Sequence, residues 1–274
     1  MGITIFFSLH LSAQHQDIWL SSKDISNGLT PALDCQQGID ESTYDSSCQV
    51  IVNPARNGLV DITTGYLFYS ADFGDVAFGP SGTGQPGFSN IKDFDGNDFN
   101  DIEVFQFMNT EGQTFTLIQD KSILSFRVVD RLAFWNGKSW DTSVINRERI
   151  RIFDAREENV YVTTDGIYGD DANDDTPELG IIGVANGGLI HDHIEYFIES
   201  EDSLDPSPGA YMFNMELYVT KGPDGKIIYK PSEPVRIVLN YKLDDEEFEA
   251  AISALIDPVT ESVPYPNYFI IFLF

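Results

Sequence analysis

Histidine, the side chain best suited to bind a transition metal, is rare in this sequence: four of the 274 residues are histidines. His191 and His193 flank Asp192, and in a β-strand residues i and i+2 point to the same face about 6.6 Å apart. Imidazole nitrogens bind Cu(II), Zn(II) or Ni(II) at about 2 Å. The spacing therefore predicts that both rings converge on one ion. Glu195 follows on the same face by alternation, and we expect it to be a fourth ligand or to accept a hydrogen bond from a ring N–H. The alternative is a plain solvent-facing glutamate of the strand.

The start of the chain has the pattern of a secretory signal. Residues 1–13 hold an apolar stretch and end in Ser12-Ala13, the small residues that signal peptidase requires. This predicts export to the periplasm, the extracellular space or the cell surface; a buried first strand is the alternative interpretation. In an oxidising compartment the two cysteines, Cys35 and Cys48, are expected to form one disulfide.

His15 stands directly after the predicted cleavage site and is the candidate for a third metal ligand. Cleavage near Ala13 leaves its imidazole close to a free α-amine. A terminal histidine can chelate copper through the amine and the ring, and a third-position histidine binds Cu(II) or Ni(II) together with backbone nitrogens. Copper is therefore the preferred metal. The alternative is that His15 is a solvated terminal residue, and that His191 and His193 are polar strand residues with carboxylate or backbone partners.

A second candidate site is an acidic loop that offers oxygen ligands suited to calcium. These ligands are Asp93, Asp95, Asn97, Asp98 and Asp101. The loop is not an EF-hand, since its glycine falls at the fourth position rather than the sixth and the bidentate glutamate is missing. A solvated acidic loop is the alternative.

Charge limits the possible partners. The chain has 44 acidic and 16 basic residues and a net charge of −28. Such a surface repels phosphate backbones and anionic lipids, so we expect no nucleic-acid partner and no binding to membranes through basic patches. It attracts cations instead. No apolar run reaches the roughly 20 residues of a transmembrane helix, and the sequence has neither a G-x-S-x-G elbow nor a phosphate-binding loop.

The elements that must carry these residues are predicted to be mostly strands. Short alternating runs with β-branched and aromatic residues lie at 18–22, 65–73, 102–108, 114–119, 122–135, 149–153, 159–163, 190–200, 210–220 and 235–239, and a hairpin turn is predicted at 222–225. One short helix follows, capped by Asp244 or Asp245, with Phe248, Ala251, Ile252 and Leu255 on one face. The pattern predicts an all-β protein, an antiparallel β-sandwich of jelly-roll or immunoglobulin-like type with one C-terminal helix.

We expect a single sandwich domain over residues 14–256 and a separate tail over 257–274. In the tail, Val263-Pro264-Tyr265-Pro266 precedes an apolar run and resembles the start of a PEP-CTERM sorting signal. Tyr265 stands where that signal has glutamate, the apolar run is too short to span a membrane, and no basic cluster follows. A truncated sorting signal and a coincidence are both open.

Several strings along the chain carry a wider resemblance. These are His15-x-Asp17-Ile18-Trp19-Leu20, Ala71-Asp72-Phe73-Gly74, Gln85-Pro86-Gly87-Phe88, Leu132-Ala133-Phe134-Trp135-Asn136-Gly137, His191-x-His193 and Ser232-x-Pro234-x-x-Ile237-Val238-x-Asn240. In this order they resemble a group of exported bacterial β-sandwich proteins without an assigned activity, many of which carry PEP-CTERM tails. The opening string is also similar to the mature start of periplasmic nickel-uptake-associated domains, which implies metal binding.

These observations favour an exported protein that sequesters or delivers a transition metal, copper first, through His15, His191 and His193. The alternative is a structural or adhesive cell-surface protein, stabilised by Ca²⁺ or binding a cell-envelope partner or surface glycan; Trp19, Trp135 and Trp140 are the side chains that could line a sugar-binding face. An enzymatic alternative is a copper oxygenase with an N-terminal histidine brace, which requires cleavage directly before His15.

Overall fold

The computed structural model describes residues 17–24, 48–53, 59–92, 103–104, 118–142, 147–169, 179–200, 202, 204–221 and 226–256. The predicted signal at 1–13, His15, Cys35, the acidic loop at 93–101 and the tail at 257–274 lie outside these ranges. The described part of the chain forms mostly β-sheet, which confirms the prediction of an all-β sandwich with one short C-terminal helix.

The strands are short, with one exception. In chain order they are β1 (Asp17–Asp24), β2 (Cys48–Asn53), β3 (Leu59–Val60), β4 (Leu67–Asp72), β5 (Gly82–Thr83), β6 (Gly87–Ser89), β7 (Ile91–Lys92), β8 (Glu103–Val104), β9 (Ile123–Val128), β10 (Ala133–Trp135), β11 (Trp140–Asp141), β12 (Glu148–Phe153), β13 (Asn159–Val162), β14 (Ile167–Tyr168), β15 (Gly180–Val184), β16 (His191–Asp192), β17 (Glu195–Ser200), β18 (Gly209–Lys221), β19 (Lys226–Ile227) and β20 (Val235–Tyr241), followed by the helix α1 (Asp245–Ile256).

A nine-stranded sheet forms the centre of the described structure. Its main path runs β11-β10-β18-β20-β4-β3, with β9 and β19 also paired to β18, and β15 paired to β9. The thirteen-residue β18 is buried on both faces because alternate side chains enter different layers. Tyr211 and Phe213 pack into the larger core against a five-stranded sheet of order β14-β13-β12-β17-β5, whereas Ala210 and Met212 pack against α1.

The helix α1 covers the outer face of the nine-stranded sheet, as its sequence pattern predicts. Phe248, Ala251, Ile252 and Leu255 are its buried residues. The Asp244 carboxylate accepts a hydrogen bond of 2.9 Å from the backbone N–H of Glu247, so Asp244 is the N-cap. Within the described ranges no helix combines the length and apolarity needed to cross a lipid bilayer.

Two predicted strands differ from the structure. The run at 122–135 is divided into β9 and β10, and the run at 190–200 is divided into β16 and β17. The second division matters for the site, because β16 belongs to a four-stranded sheet of order β16-β6-β1-β2, whereas β17 belongs to the five-stranded sheet. Among the described strands, β1 pairs with β6 and β4 pairs with β20 in parallel, and the other strand pairs are antiparallel.

Candidate metal centre

The candidate site is built on β6, the three-residue strand between β1 and β16. Gly87 of β6 pairs in parallel with Asp17, the first described residue of β1. On the other side, Ser89 pairs with His191 in antiparallel register. Strands are about 4.8 Å apart in a sheet, so β1 and β16 are separated by about twice that distance. Their side chains meet only by reaching across β6.

Gly87 provides the space in which they meet. A Cβ atom at this position would lie 2.3 Å from Cε1 of His193 and 2.6 Å from Oδ1 of Asp17, which is closer than real Cβ contacts. The imidazole and the carboxylate thus occupy the volume that a side chain on β6 would fill. Glycine is required here because of close side-chain approach, and not because of its backbone angles.

Three donor groups converge over Gly87. Nε2 of His191 lies 3.2 Å from Nε2 of His193 and 3.5 Å from Oδ2 of Asp17, and Nε2 of His193 lies 3.9 Å from Oδ1 of Asp17. Asp17, His191 and His193 each offer one ligand atom, and these atoms all lie within 4.8 Å of one another. Two ligands bound at about 2.0–2.1 Å in tetrahedral geometry are about 3.3 Å apart. The spacing of the two nitrogens therefore suits one shared ion.

A backbone carbonyl fixes the orientation of one ring. Nδ1 of His193 lies 2.8 Å from the carbonyl oxygen of Gly84, just before β6. Because a carbonyl only accepts, Nδ1 donates its hydrogen, and in the neutral ring the lone pair is then on Nε2, which faces the other two donors. Gly84 is itself held close to Phe78, whose Cε2 would lie 2.9 Å from a Cβ at this position.

The start of β16 is fixed by a buried amide. Asn90, directly after β6, accepts a hydrogen bond from the backbone N–H of Ile190 and donates one to the carbonyl of Gly188, both at 2.8 Å. Its own N–H also donates to the carbonyl of Ile190. These bonds fix the residue directly before His191 to the end of β6, and thereby set which residue of β16 faces the site.

The three donor side chains are mostly buried. The side chains of His191, Asp17 and His193 are 11%, 15% and 29% exposed, so the group is largely but not completely shielded from solvent.

The carboxylate of Asp192 points away from this group, since its Oδ2 would lie 1.9 Å from a Cβ at Gly183. Burial raises the pKa of the Asp192 carboxyl, and His193 offsets part of that increase.

The structure brings together two of the sequence-predicted ligands and adds a third residue. Asp17 belongs to the opening string noted above, but nothing in its local sequence marks it as a ligand. It joins the site because β1 pairs with the strand beside β16, a long-range parallel pairing that alternation does not reveal.

Glu195 is not among the residues that converge. The strand is interrupted after Asp192, and Glu195 begins β17 in the five-stranded sheet, where it pairs with Phe153. The alternation that would place its carboxylate beside His193 does not continue through this break.

The other predicted sites lie outside the described residues. This applies to His15 and to the calcium ligands Asp93, Asp95, Asn97, Asp98 and Asp101. It applies also to Cys35, so the disulfide with the buried Cys48 stays a prediction.

Two of the three tryptophans pack beneath α1. Trp135 is 7% exposed, its ring centroid lies 5.7 Å from that of Trp140, and Nε1 of Trp140 donates a hydrogen bond to the carbonyl of Ala251. Trp135 is therefore part of the core beneath α1, and Trp140 is partly buried against it.

Comparisons of the chain with protein-family models, with curated proteins and with solved structures find no match.

Proposed function

We propose that this protein binds a divalent transition-metal ion through Asp17, His191 and His193, and that it sequesters or delivers this ion outside the cytoplasm. The observation that carries the proposal is the 3.2 Å separation of the two Nε2 atoms beside the Asp17 carboxylate. Two imidazoles and one carboxylate are a common ligand set for zinc and its neighbours in the first transition row. The proposed extracytoplasmic setting rests on the signal pattern at residues 1–13.

The choice of metal depends on His15. The separations among the three described donors are 3.2, 3.5 and 3.9 Å. The first two are near the tetrahedral value, and all three are longer than the roughly 2.9 Å between neighbouring ligands of a square plane. By themselves they favour Zn(II). His15 precedes Asp17 by two residues, a distance of at most about 7 Å along the chain. A ligand from His15 and a free α-amine would favour Cu(II).

The proposal is tested by calorimetric titration of Cu(II), Zn(II) and Ni(II) into protein with its naturally processed N-terminus. We expect one ion per chain and at least a 100-fold loss of affinity in the His191→Ala/His193→Ala double variant, because two of three donors are removed. In His15→Ala, the affinity for Cu(II) is expected to fall while that for Zn(II) is unchanged.

A matched control separates ligation from general effects of charge. Asp192→Asn removes a negative charge between the two histidines, but its carboxylate points to Gly183, so metal affinity is expected to fall far less than in the double histidine variant. Circular dichroism of each metal-free variant establishes that it is folded. Absence of binding, or equal binding by the double variant, would contradict the proposal and would favour the structural surface protein.

A further inference from the structure

Within the four-stranded sheet that carries the centre, β6 and β16 form few backbone hydrogen bonds, whereas β1 pairs with β2 over six residue pairs, from Trp19 to Asp24. β6 has three residues and β16 has two, and β1 pairs with β6 only from Asp17 to Trp19. By contrast, β18 pairs with β20 over seven residue pairs, from Gly209 to Met215. Strands with few ladder bonds open locally at lower free energy than central strands.

The ligands lie on both sides of the weakly paired strand. Asp17 comes from β1 and the two imidazoles come from β16 and the residue that follows it, whereas β6 contributes no ligand. An ion held by all three side chains therefore links β1 directly to β16, the two strands that flank β6. Since Asp17 and His191 are far apart in sequence, such a bond has the effect of a cross-link that closes a long loop.

The direct contact between the two flanking strands across β6 is long. The contact between Oδ2 of Asp17 and Nε2 of His191 is 3.5 Å, at the long limit of a hydrogen bond. Metal–ligand bonds of about 2 Å would replace it on both sides. Apolar side chains such as the fully buried Ile18 also anchor the beginning of β1.

We propose that the bound ion fastens the N-terminal strand to the sandwich, so that β1 and β16 open from β6 far less often in the metal-loaded protein than in the metal-free one. This inference rests on the proposed function. The ion would thus be cargo of the protein and would also stabilise the position of β1. Release of the ion then loosens the segment that contains Asp17, and binding fixes it.

The test is hydrogen–deuterium exchange of the full chain, with its natural N-terminus, after chelation and at Zn(II) concentrations of 100 times the measured Kd. A ligand that binds only the closed form at this excess slows exchange through local opening by about 100-fold. We expect this slowing in peptides covering β1, β6 and β16, and little change in peptides covering β18 and β20. Asp17→Asn should abolish the effect in β1, and Asp192→Asn should retain it.

The possible results separate this inference from the proposed function. If calorimetry of the same sample detects no binding, the proposed function fails. A second result is that Zn(II) binds to the wild type and not to the double histidine variant, while exchange in β1 is the same with and without Zn(II). In that case the fastening role is wrong and the binding function stands. Equal slowing in all strands, including β18, would also overturn the inference, because the ion would then act only on global unfolding.

Discussion

Nδ1 of His193 lies 2.8 Å from the carbonyl oxygen of Gly84, a contact made from outside the three-donor group. The carbonyl can only accept, so it selects the tautomer with hydrogen on Nδ1 and leaves Nε2 to face His191 and Asp17. Metal-ligating histidines commonly have such a second partner, which fixes the ring before the ion arrives. The imidazole ring of His193 therefore already has the orientation that ligation through Nε2 requires.

This relationship predicts the tautomer of His193 in the metal-free protein. We expect its neutral form to carry the hydrogen on Nδ1, and we expect Zn(II) to change the ¹⁵N resonance of Nε2 much more than that of Nδ1. The measurement is a long-range ¹H–¹⁵N correlation spectrum, with His191→Ala used to assign the two rings. A neutral His193 with hydrogen on Nε2 would contradict the prediction, because its lone pair would then point at a carbonyl.

Because Gly87 lies so close to His193 and Asp17, we expect the methyl group of an alanine at this position to disrupt the site. In Gly87→Ala the new Cβ would lie 2.3 Å from Cε1 of His193 and 2.6 Å from Oδ1 of Asp17, so one or both side chains must move. We expect metal affinity to fall at least tenfold and stability to decrease by about 1–3 kcal/mol. Calorimetry and urea denaturation measure the two effects.

Gly169→Ala is the matched control for that substitution. A Cβ at Gly169 meets nothing within 4 Å, and its φ is not in the left-handed region. This variant should bind metal as the wild type does and should differ from it in stability by less than about 0.5 kcal/mol. An equal loss of metal affinity in both variants would show that the space over β6 is not what matters.

The sequence predicts those parts of the structure that depend on local periodicity. Phe248, Ala251, Ile252 and Leu255 recur at helical spacing and are the buried residues of α1. His191 and His193 are two apart, and their Nε2 atoms meet. In each case the relevant neighbours lie within one or two turns or pleats, so spacing alone determines which side chains share a face.

The parts that the sequence does not predict depend on long-range pairing. Asp17 joins the site only because β1 lies parallel to β6. The break after Asp192 is hidden for a different reason: Ile190, Ile194, Tyr196 and Ile198 are all buried. Buried residues thus recur with period two on both sides of the point at which the chain leaves one sheet and enters another, although the strand itself is broken there. The alternation of apolar residues in the sequence therefore does not reveal the change of sheet.

Asp72 predicts a pH dependence of stability. Burial raises the pKa of its carboxyl, an effect partly offset by a hydrogen bond from Nδ2 of Asn240 and increased by the charge of Asp245. A folded-state pKa above the unfolded value means that the folded protein binds the proton more tightly. The resulting loss of stability develops as pH rises through the raised pKa, and it is absent at pH values below the ordinary aspartate range.

Asp72→Asn is therefore expected to have a higher Tm than the wild type at pH 7, since its side-chain oxygen still accepts the bond from Asn240 but carries no charge. The difference should diminish as the pH falls towards 3, where the wild-type carboxyl is protonated. Thermal unfolding followed by circular dichroism at several pH values measures this. A difference that is the same at pH 3 and pH 7 would rule out the charge as its cause.

Among the variants considered, we expect the largest loss of stability when the buried ion pair of Arg236 with Asp61 is broken. Nη1 of Arg236 donates to Oδ2 of Asp61, its Nε donates to Oδ1 of Asn214 at 2.9 Å, and the two charged side chains are 9% and 1% exposed. Burial lowers the pKa of Arg236. Because Arg236→Met leaves the Asp61 carboxylate buried without its cation, we expect a loss of about 3–5 kcal/mol in urea denaturation.

Two further variants identify the reason for that loss. In Arg236→Met/Asp61→Asn both charges are removed, while the amide oxygen at position 61 can still accept the 2.8 Å bond from the N–H of Thr63, so the double variant should be more stable than Arg236→Met alone. Arg127→Met removes an exposed arginine, whose guanidinium lies 5.4 Å from the ring centroid of Tyr218, and should cost no more than about 1 kcal/mol. If the double variant is less stable than Arg236→Met, the packing of the arginine side chain, and not the uncompensated charge of Asp61, accounts for the loss.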